Sequence, residues 1–193
     1  MARLLITGFD PFGGAHINPA WEAVKQLPDR VGECELYKLE IPTVFGMAAE
    51  KVLEAAESIR PDVILCIGQA GGRAAVTPER IAVNIRDAKI ADNAGNCPVG
   101  ALVDPDGPAA IFATVPVMRM AQAICDGGLL GAVSNSAGAF VCNDTLYLLL
   151  RHYEGTAVKV GFIHVPYLPE QGSPSLPLAD TVRALVAAIE VCG

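Results

Sequence analysis

Basic charge is scarce in this sequence. Lysines and arginines number 14 against 21 aspartates and glutamates, a formal net charge of −7. No basic stripe of the kind that grips a phosphate backbone is visible, so nucleic acid is not an expected partner. Long apolar runs are missing too. A membrane helix needs about 20 mostly apolar residues, and Leu148–Leu150 runs at once into Arg151, His152 and Glu154, so no bilayer span is expected. The short apolar start Leu4-Leu5-Ile6 leads directly into Gly8-Phe9-Asp10-Pro11, which suits a buried strand better than a secretory leader. There is no Cys-x-x-Cys, no histidine pair at i, i+4 and no zinc-like spacing of Cys and His, so a metal site is not expected. The glycine-rich Gly8–Gly14 segment fits neither a dinucleotide nor a P-loop pattern.

What is present is a core. Hydrophobic residues make up 52% of the 193 and charged ones only 18%, which excludes a disordered chain or a coiled coil and predicts one globular domain over residues 1–193. The six cysteines, Cys34, Cys66, Cys97, Cys125, Cys142 and Cys192, lie far apart in a chain large enough to need no stapling. They are expected as free thiols in a reducing cytoplasm.

Short β-rich runs alternate with helical patterns throughout, the signature of an α/β sheet between helices. Strands are expected at Arg3–Thr7, Leu36–Ile41, Asp62–Ile67, Arg80–Ile85, Ala132–Ser134 and Ala157–His164. Helices are expected from the Asn18-Pro19 cap to Leu27, from Met47 to Ile59, from Pro116 to Asp126, from about Cys142 to Tyr153, and along the Leu178–Ile189 stripe. Residues Gly68 to about Ala110, rich in Gly, Pro, Asn and Asp, form the least regular stretch. Inside one compact domain such a stretch is expected to be a functional loop.

Cys142 differs from the other cysteines because Ser134-Asn135-Ser136-Ala137-Gly138-Ala139-Phe140-Val141-Cys142-Asn143 reads as a strand, a small-residue loop and a helix start. A thiol there meets the positive end of the helix dipole, which lowers its pKa, and unpaired N–H groups that suit an oxyanion. The competing reading is a small buried hydrophobe, which is preferred for Cys34, Cys66, Cys125 and Cys192. A nucleophilic thiol needs a base. His164 closes an apolar strand at its carboxyl edge, where open α/β sheets place their crevices. His152 reads as a solvated helix end and His16 as a loop or rim residue. Glu79, opening a strand after Gly68-Gln69-Ala70-Gly71-Gly72, is the carboxylate that would orient the imidazole. Its alternative is a surface partner of Arg80.

At these residues the sequence resembles the pyrrolidone-carboxylate peptidase (pyroglutamyl peptidase I) family of cysteine peptidases. Four blocks carry the resemblance across nearly the whole chain: Thr7–Gly14 with Asn18-Pro19; Gly68–Arg73 leading to Thr77–Arg80; Ser134–Asn143; and Gly161–Gln171. The resemblance implies Cys142 as nucleophile, His164 as base and then acid, and Glu79 as orienting carboxylate. It further implies Phe9, Phe12 and Phe140 around a lactam ring, backbone near Gln69 meeting the ring amide, and Asn18 helping to place the peptide. A single-domain α/β/α sandwich with a mixed, mostly parallel twisted sheet, a cytoplasmic homo-oligomer, often a tetramer, and no cofactor are implied as well. Pyroglutamyl peptides would be the substrate, with a pyroglutamyl-binding module without catalysis, or an amidase of other specificity, as the rivals. One departure stands out: Lys89 in Asp87-Ala88-Lys89-Ile90-Ala91-Asp92-Asn93 replaces an arginine, keeping the charge without the planar fork.

Overall fold

The computed structural model describes residues 1–192. In chain order the described residues form β1 (Ala2–Phe9), α1 (Pro19–Gln26), β2 (Arg30–Val31), β3 (Cys34–Ile41), α2 (Met47–Ile59), β4 (Val63–Gln69), β5 (Thr77–Pro78), β6 (Ile81–Val83), β7 (Ala110–Phe112), α3 (Val117–Asp126), α4 (Val141–His152), β8 (Lys159–Val165) and α5 (Leu178–Glu190). Local chemistry sets several boundaries. Asn18 accepts from the Ala20 N–H and Pro19 supplies a fixed φ at the first turn of α1, while α2 ends on Arg60 in a left-handed conformation immediately before Pro61.

The main sheet has the order β2-β3-β1-β4-β8-β5. Its centre, β3-β1-β4-β8, is parallel, and the edge strands β2 and β5 run antiparallel. Such central strands are covered on both faces, which explains their near-continuous apolar runs. Period-two alternation sorts them. Leu4, Ile6, Val63, Leu65, Ile67, Ile163 and Val165 pack under α1, α3 and α5, whereas Leu5, Phe9, Ile64, Cys66, Val160 and Phe162 pack under α2 and α4. The result is the expected three-layer α/β/α sandwich.

Two parts depart from the expected elements. The stretch around Ala132–Ser134 forms no strand of its own but runs parallel to residues 76–80 through isolated bridges at Val76–Gly131 and Glu79–Ser134. The backbone bonds Val76 N to Leu130 O, Ala132 N to Val76 O, Ser134 N to Pro78 O and Arg80 N to Ser134 O are all made. The rung that would join Pro78 to the Ala132 carbonyl is missing because proline has no N–H. The expected Arg80–Ile85 strand is shorter, Ile81–Val83, and pairs with β7 in a separate two-stranded ribbon.

Candidate active site

The site assembles at the carboxyl ends of β4 and β8. Gly68 and His164 are Cα partners across these strands, and both lie on the face that α4 covers. A Cβ built at Gly68 would stand 2.7 Å from the Phe162 ring and 3.0 Å from Cys142 Sγ. Only a residue without a side chain leaves room there for the thiol. The Cys142 thiol thus sits over the glycine whose partner across the ladder is His164. The His164 ring also packs against Phe162, centroid to centroid 4.8 Å.

Behind the imidazole stands Glu79. Its Oε1 is 2.7 Å from His164 Nδ1, and the carboxylate is wholly buried. Burial alone would raise this carboxyl, but the hydrogen bond and charge of His164, with Arg73, outweigh it and hold the group below its ordinary value. Burial, the largest influence on His164, pulls the imidazole below its usual value against the opposing pull of Glu79. Burial also pushes the Cys142 thiol up to about 12, the Glu79 charge adding to the rise, with Arg73 and the residue's own N–H opposing it. The depressed thiol pKa expected from the helix start is therefore overturned. Enclosure works against the helix dipole, and with the thiol raised and the imidazole lowered both groups are neutral at neutral pH.

The start of α4 holds Cys142 in place. Phe140 precedes the first turn in an extended conformation with no side-chain cap, so the leading N–H groups are free of side-chain acceptors. The next two residues anchor the turn. Asn143 accepts from Val83 N at 2.9 Å and donates to Val83 O at 2.8 Å. Asp144, fully buried, accepts from Gly46 N at 2.8 Å and from Arg86 Nε at 2.6 Å.

Phe12 and Phe140 meet at 6.0 Å, and Phe45 closes edge-on against Phe140 at 5.3 Å. Sequence reasoning missed Phe45, since nothing in Pro42-Thr43-Val44-Phe45 points to α4. Its loop is held by Asp92 Oδ2, which accepts from Phe45 N at 3.0 Å, and by Asp144 at the next residue. Phe9 is buried and packs against Phe162 at 6.1 Å. Asn18 is also buried, its amide donating to Asp10 O at 2.9 Å and its Oδ1 accepting from Ala20 N at 3.1 Å. It therefore anchors the Asp10–Phe12 turn. Gln69 Oε1 accepts from Gln171 Nε2 at 2.9 Å, and both line a cleft of about 660 Å³ with Phe12, His16, Ile90 and Tyr167. Lys89 and His152 are exposed. Among the described residues no cluster of three or more His, Cys, Asp or Glu is placed to hold a metal ion. No helix among them is long and apolar enough to cross a membrane.

A model of the family described as pyroglutamyl peptidase matches residues 2–193. The chain belongs to the pyroglutamyl peptidase family. A pyrrolidone-carboxylate peptidase of Levilactobacillus brevis is 55% identical, with 97% of this chain and 95% of the relative covered. The crystal structure of pyroglutamyl peptidase I from Bacillus amyloliquefaciens superposes with a TM-score of 0.96 at 42% identity, over 100% of this chain and 97% of that one. Pyrrolidone carboxyl peptidase from Thermococcus litoralis gives 0.94 at 35% identity, over 100% of this chain and 93% of the other. As a member of the pyroglutamyl peptidase family the chain is a cysteine peptidase, a hydrolase.

Proposed function

We propose that Cys142, His164 and Glu79 together hydrolyse the amide bond that follows an N-terminal pyroglutamyl residue. The observation that carries this assignment is the 2.7 Å contact between Glu79 Oε1 and His164 Nδ1, at a histidine paired with the glycine over which the Cys142 thiol sits. With Nδ1 engaged by the carboxylate, Nε2 is left to take the thiol proton. Since both groups start neutral, the proton passes to His164 as Sγ adds to the carbonyl carbon. The uncapped N–H groups at the start of α4 receive the oxyanion. The imidazolium then protonates the leaving amine, the C–N bond breaks, and an acyl-enzyme remains. Water, deprotonated by His164, attacks the thioester, releasing pyroglutamate and restoring the thiol.

Phe12, Phe45 and Phe140 suit a flat uncharged lactam, and Phe9 backs the site through Phe162. Backbone groups beside Gln69 are assigned to the ring amide, whose N–H and C=O each need a partner once buried. Asn18 acts through the turn it anchors, and Lys89 supplies positive charge at the rim. Turnover of a chromogenic pyroglutamyl amide by the wild-type protein and its loss in Cys142→Ala test the assignment. Wild-type turnover in the variant would refute it.

Six free thiols support a cytoplasmic location. A homo-oligomer, a tetramer by the family resemblance, is supported by large exposed apolar side chains in adjoining segments: Phe112 pairs with Ile81, and Met118 lies against Arg80. Sedimentation analysis tests the oligomer, and a monomer at micromolar concentration would refute it.

A further inference from the structure

The turn after β4 returns one side chain into the site. Gly72 has φ +83°, a left-handed conformation that glycine accepts without strain, and the chain turns there to bring Arg73 back over β5. The Arg73 guanidinium then bonds three acceptors on two separate segments of the protein. Nη1 donates to Glu79 Oε1 at 2.7 Å and to Thr77 Oγ1 at 2.8 Å, and Nη2 donates to the Ser136 carbonyl at 3.0 Å. Thr77 is the Cα partner of His164 across β5 and β8. Ser136 belongs to the loop that leads into Cys142.

We propose that Arg73 is a positioning residue of this active site: its guanidinium ties the Glu79 carboxylate to the loop that carries Cys142 and places a fixed positive charge beside the Glu79–His164 pair. The proposal rests on the Cys142–His164–Glu79 assignment above.

Charge compensation supports it. Glu79 is wholly buried, its Oε2 has no hydrogen-bond partner, and Oε1 receives both Arg73 and His164. A buried carboxylate without a counter-charge is strongly unfavourable. Burial keeps His164 neutral at rest, so the full positive charge on this carboxylate is that of Arg73, which stays protonated in proteins. The other titratable groups bearing on the cluster are thiols. Cys142 and Cys66 are both pushed up to about 12 by burial and carry no charge at neutral pH. Arg73 in turn works against the imidazolium. Removing it should let His164 bind a proton at higher pH, moving the acid limb of the kcat/KM profile upward.

The test uses the full chain and a chromogenic pyroglutamyl amide over a pH series, with Arg73→Gln, Arg73→Lys, Cys142→Ala and His164→Gln prepared alongside. In Arg73→Gln, kcat is expected to fall about 10²-fold, the scale of a misplaced catalytic group. KM should change little and the acid limb should move to higher pH. Arg73→Lys keeps the charge but not the three-way fork, so its acid limb should stay in place while kcat falls about 10-fold. An unmoved limb and wild-type kcat in Arg73→Gln would overturn the proposal. So would a rise in KM at constant kcat, which would mark a substrate contact instead. If Arg73→Gln does not fold by circular dichroism, Arg73→Lys decides: reduced kcat with an unmoved limb supports the proposal, and wild-type kcat overturns it. Loss of activity in Cys142→Ala and His164→Gln with wild-type behaviour in both Arg73 variants would reject Arg73 alone. Retained activity in Cys142→Ala would reject the underlying assignment.

Discussion

Gly68 faces His164 across the β4–β8 ladder, and the space its absent side chain leaves is taken by the Cys142 thiol and the Phe162 ring. Nucleophile, base and the floor beneath them meet at one glycine.

Gly68→Ala should therefore damage both fold and activity. The added methyl would stand 2.7 Å from Phe162 Cζ, 2.8 Å from Cε1 and 3.0 Å from Sγ, and relieving these contacts must move the thiol. Overpacking of this kind costs about 1–3 kcal/mol, and displacement of a reacting group costs about 10²-fold in rate. Thermal unfolding and the amide assay on the same sample check both. Unchanged kcat would mean the thiol is not where the chemistry happens.

Cys142 should not be the first cysteine to react with a small neutral alkylating agent. Cys97 and Cys125 are exposed, whereas Cys142 is half-buried and burial pushes its thiol up to about 12, so little thiolate is present. Peptide mapping after brief iodoacetamide treatment should find Cys97 and Cys125 labelled while activity persists. A pyroglutamyl chloromethyl ketone, delivered by its ring, should label Cys142 and abolish activity. Preferential iodoacetamide labelling of Cys142 would show that the thiolate is present at rest.

His164→Gln and Glu79→Gln should separate. The first removes the proton carrier, an expected loss of about 10³-fold or more. In the second, the amide oxygen can still accept from His164 and Arg73 at the Oε1 position, and the amide nitrogen can occupy the place of the unpartnered Oε2. Orientation survives while the negative charge is lost, so a fall of about 10- to 100-fold is expected. Steady-state kcat for the two variants measures the gap, and equal small losses would mean that neither group carries protons.

A prolyl amide should be a poor substrate. It lacks the ring carbonyl and brings a charged amine to the Phe12, Phe45 and Phe140 cluster proposed above to receive the lactam. Sites built on such hydrogen bonds reject analogues lacking them by about 10⁴ to 10⁵, so kcat/KM should fall by at least about 10³. Side-by-side assays at pH values where the prolyl amine is charged and neutral check this. Near-equal rates at both would point to a general imino-acid peptidase.

Stability should fall on acidification in two stages. The folded pKa of His164 lies below its unfolded value of about 6.5, so below that pH the unfolded chain binds more protons and the native state loses ground. Burial works against the charge of Glu79 and Asp92, yet their hydrogen bonds hold both below the ordinary carboxylate range. Their contribution is complete above about pH 5 and is lost as the pH falls through their folded values. Urea unfolding from pH 7.5 to 3.5 measures both stages, and a midpoint independent of pH between 7 and 5 would contradict the first.

Periodicity and punctuation in the sequence were enough to mark the long helices, the four central strands and the helix start that carries Cys142, because each is decided by neighbours within a turn or two. The same local signals singled out His164 at a strand end and Glu79 at a strand start. Pairings between distant segments were beyond them. Thr77-Pro78 reads as a break, yet it is the strand that carries Glu79 to His164, and the same proline removes one rung from the Ala132–Ser134 edge. Phe45 met Phe140 only when Asp92 and Asp144 fixed its loop over α4, and Arg73 reached Glu79 only through the turn at Gly72. The thiol pKa shows the divide most clearly. The sequence determined that Cys142 sits at a helix start, where the dipole lowers a thiol. The tertiary structure decided how far the thiol is enclosed, and the desolvation that follows raises it, against the local field of one helix end.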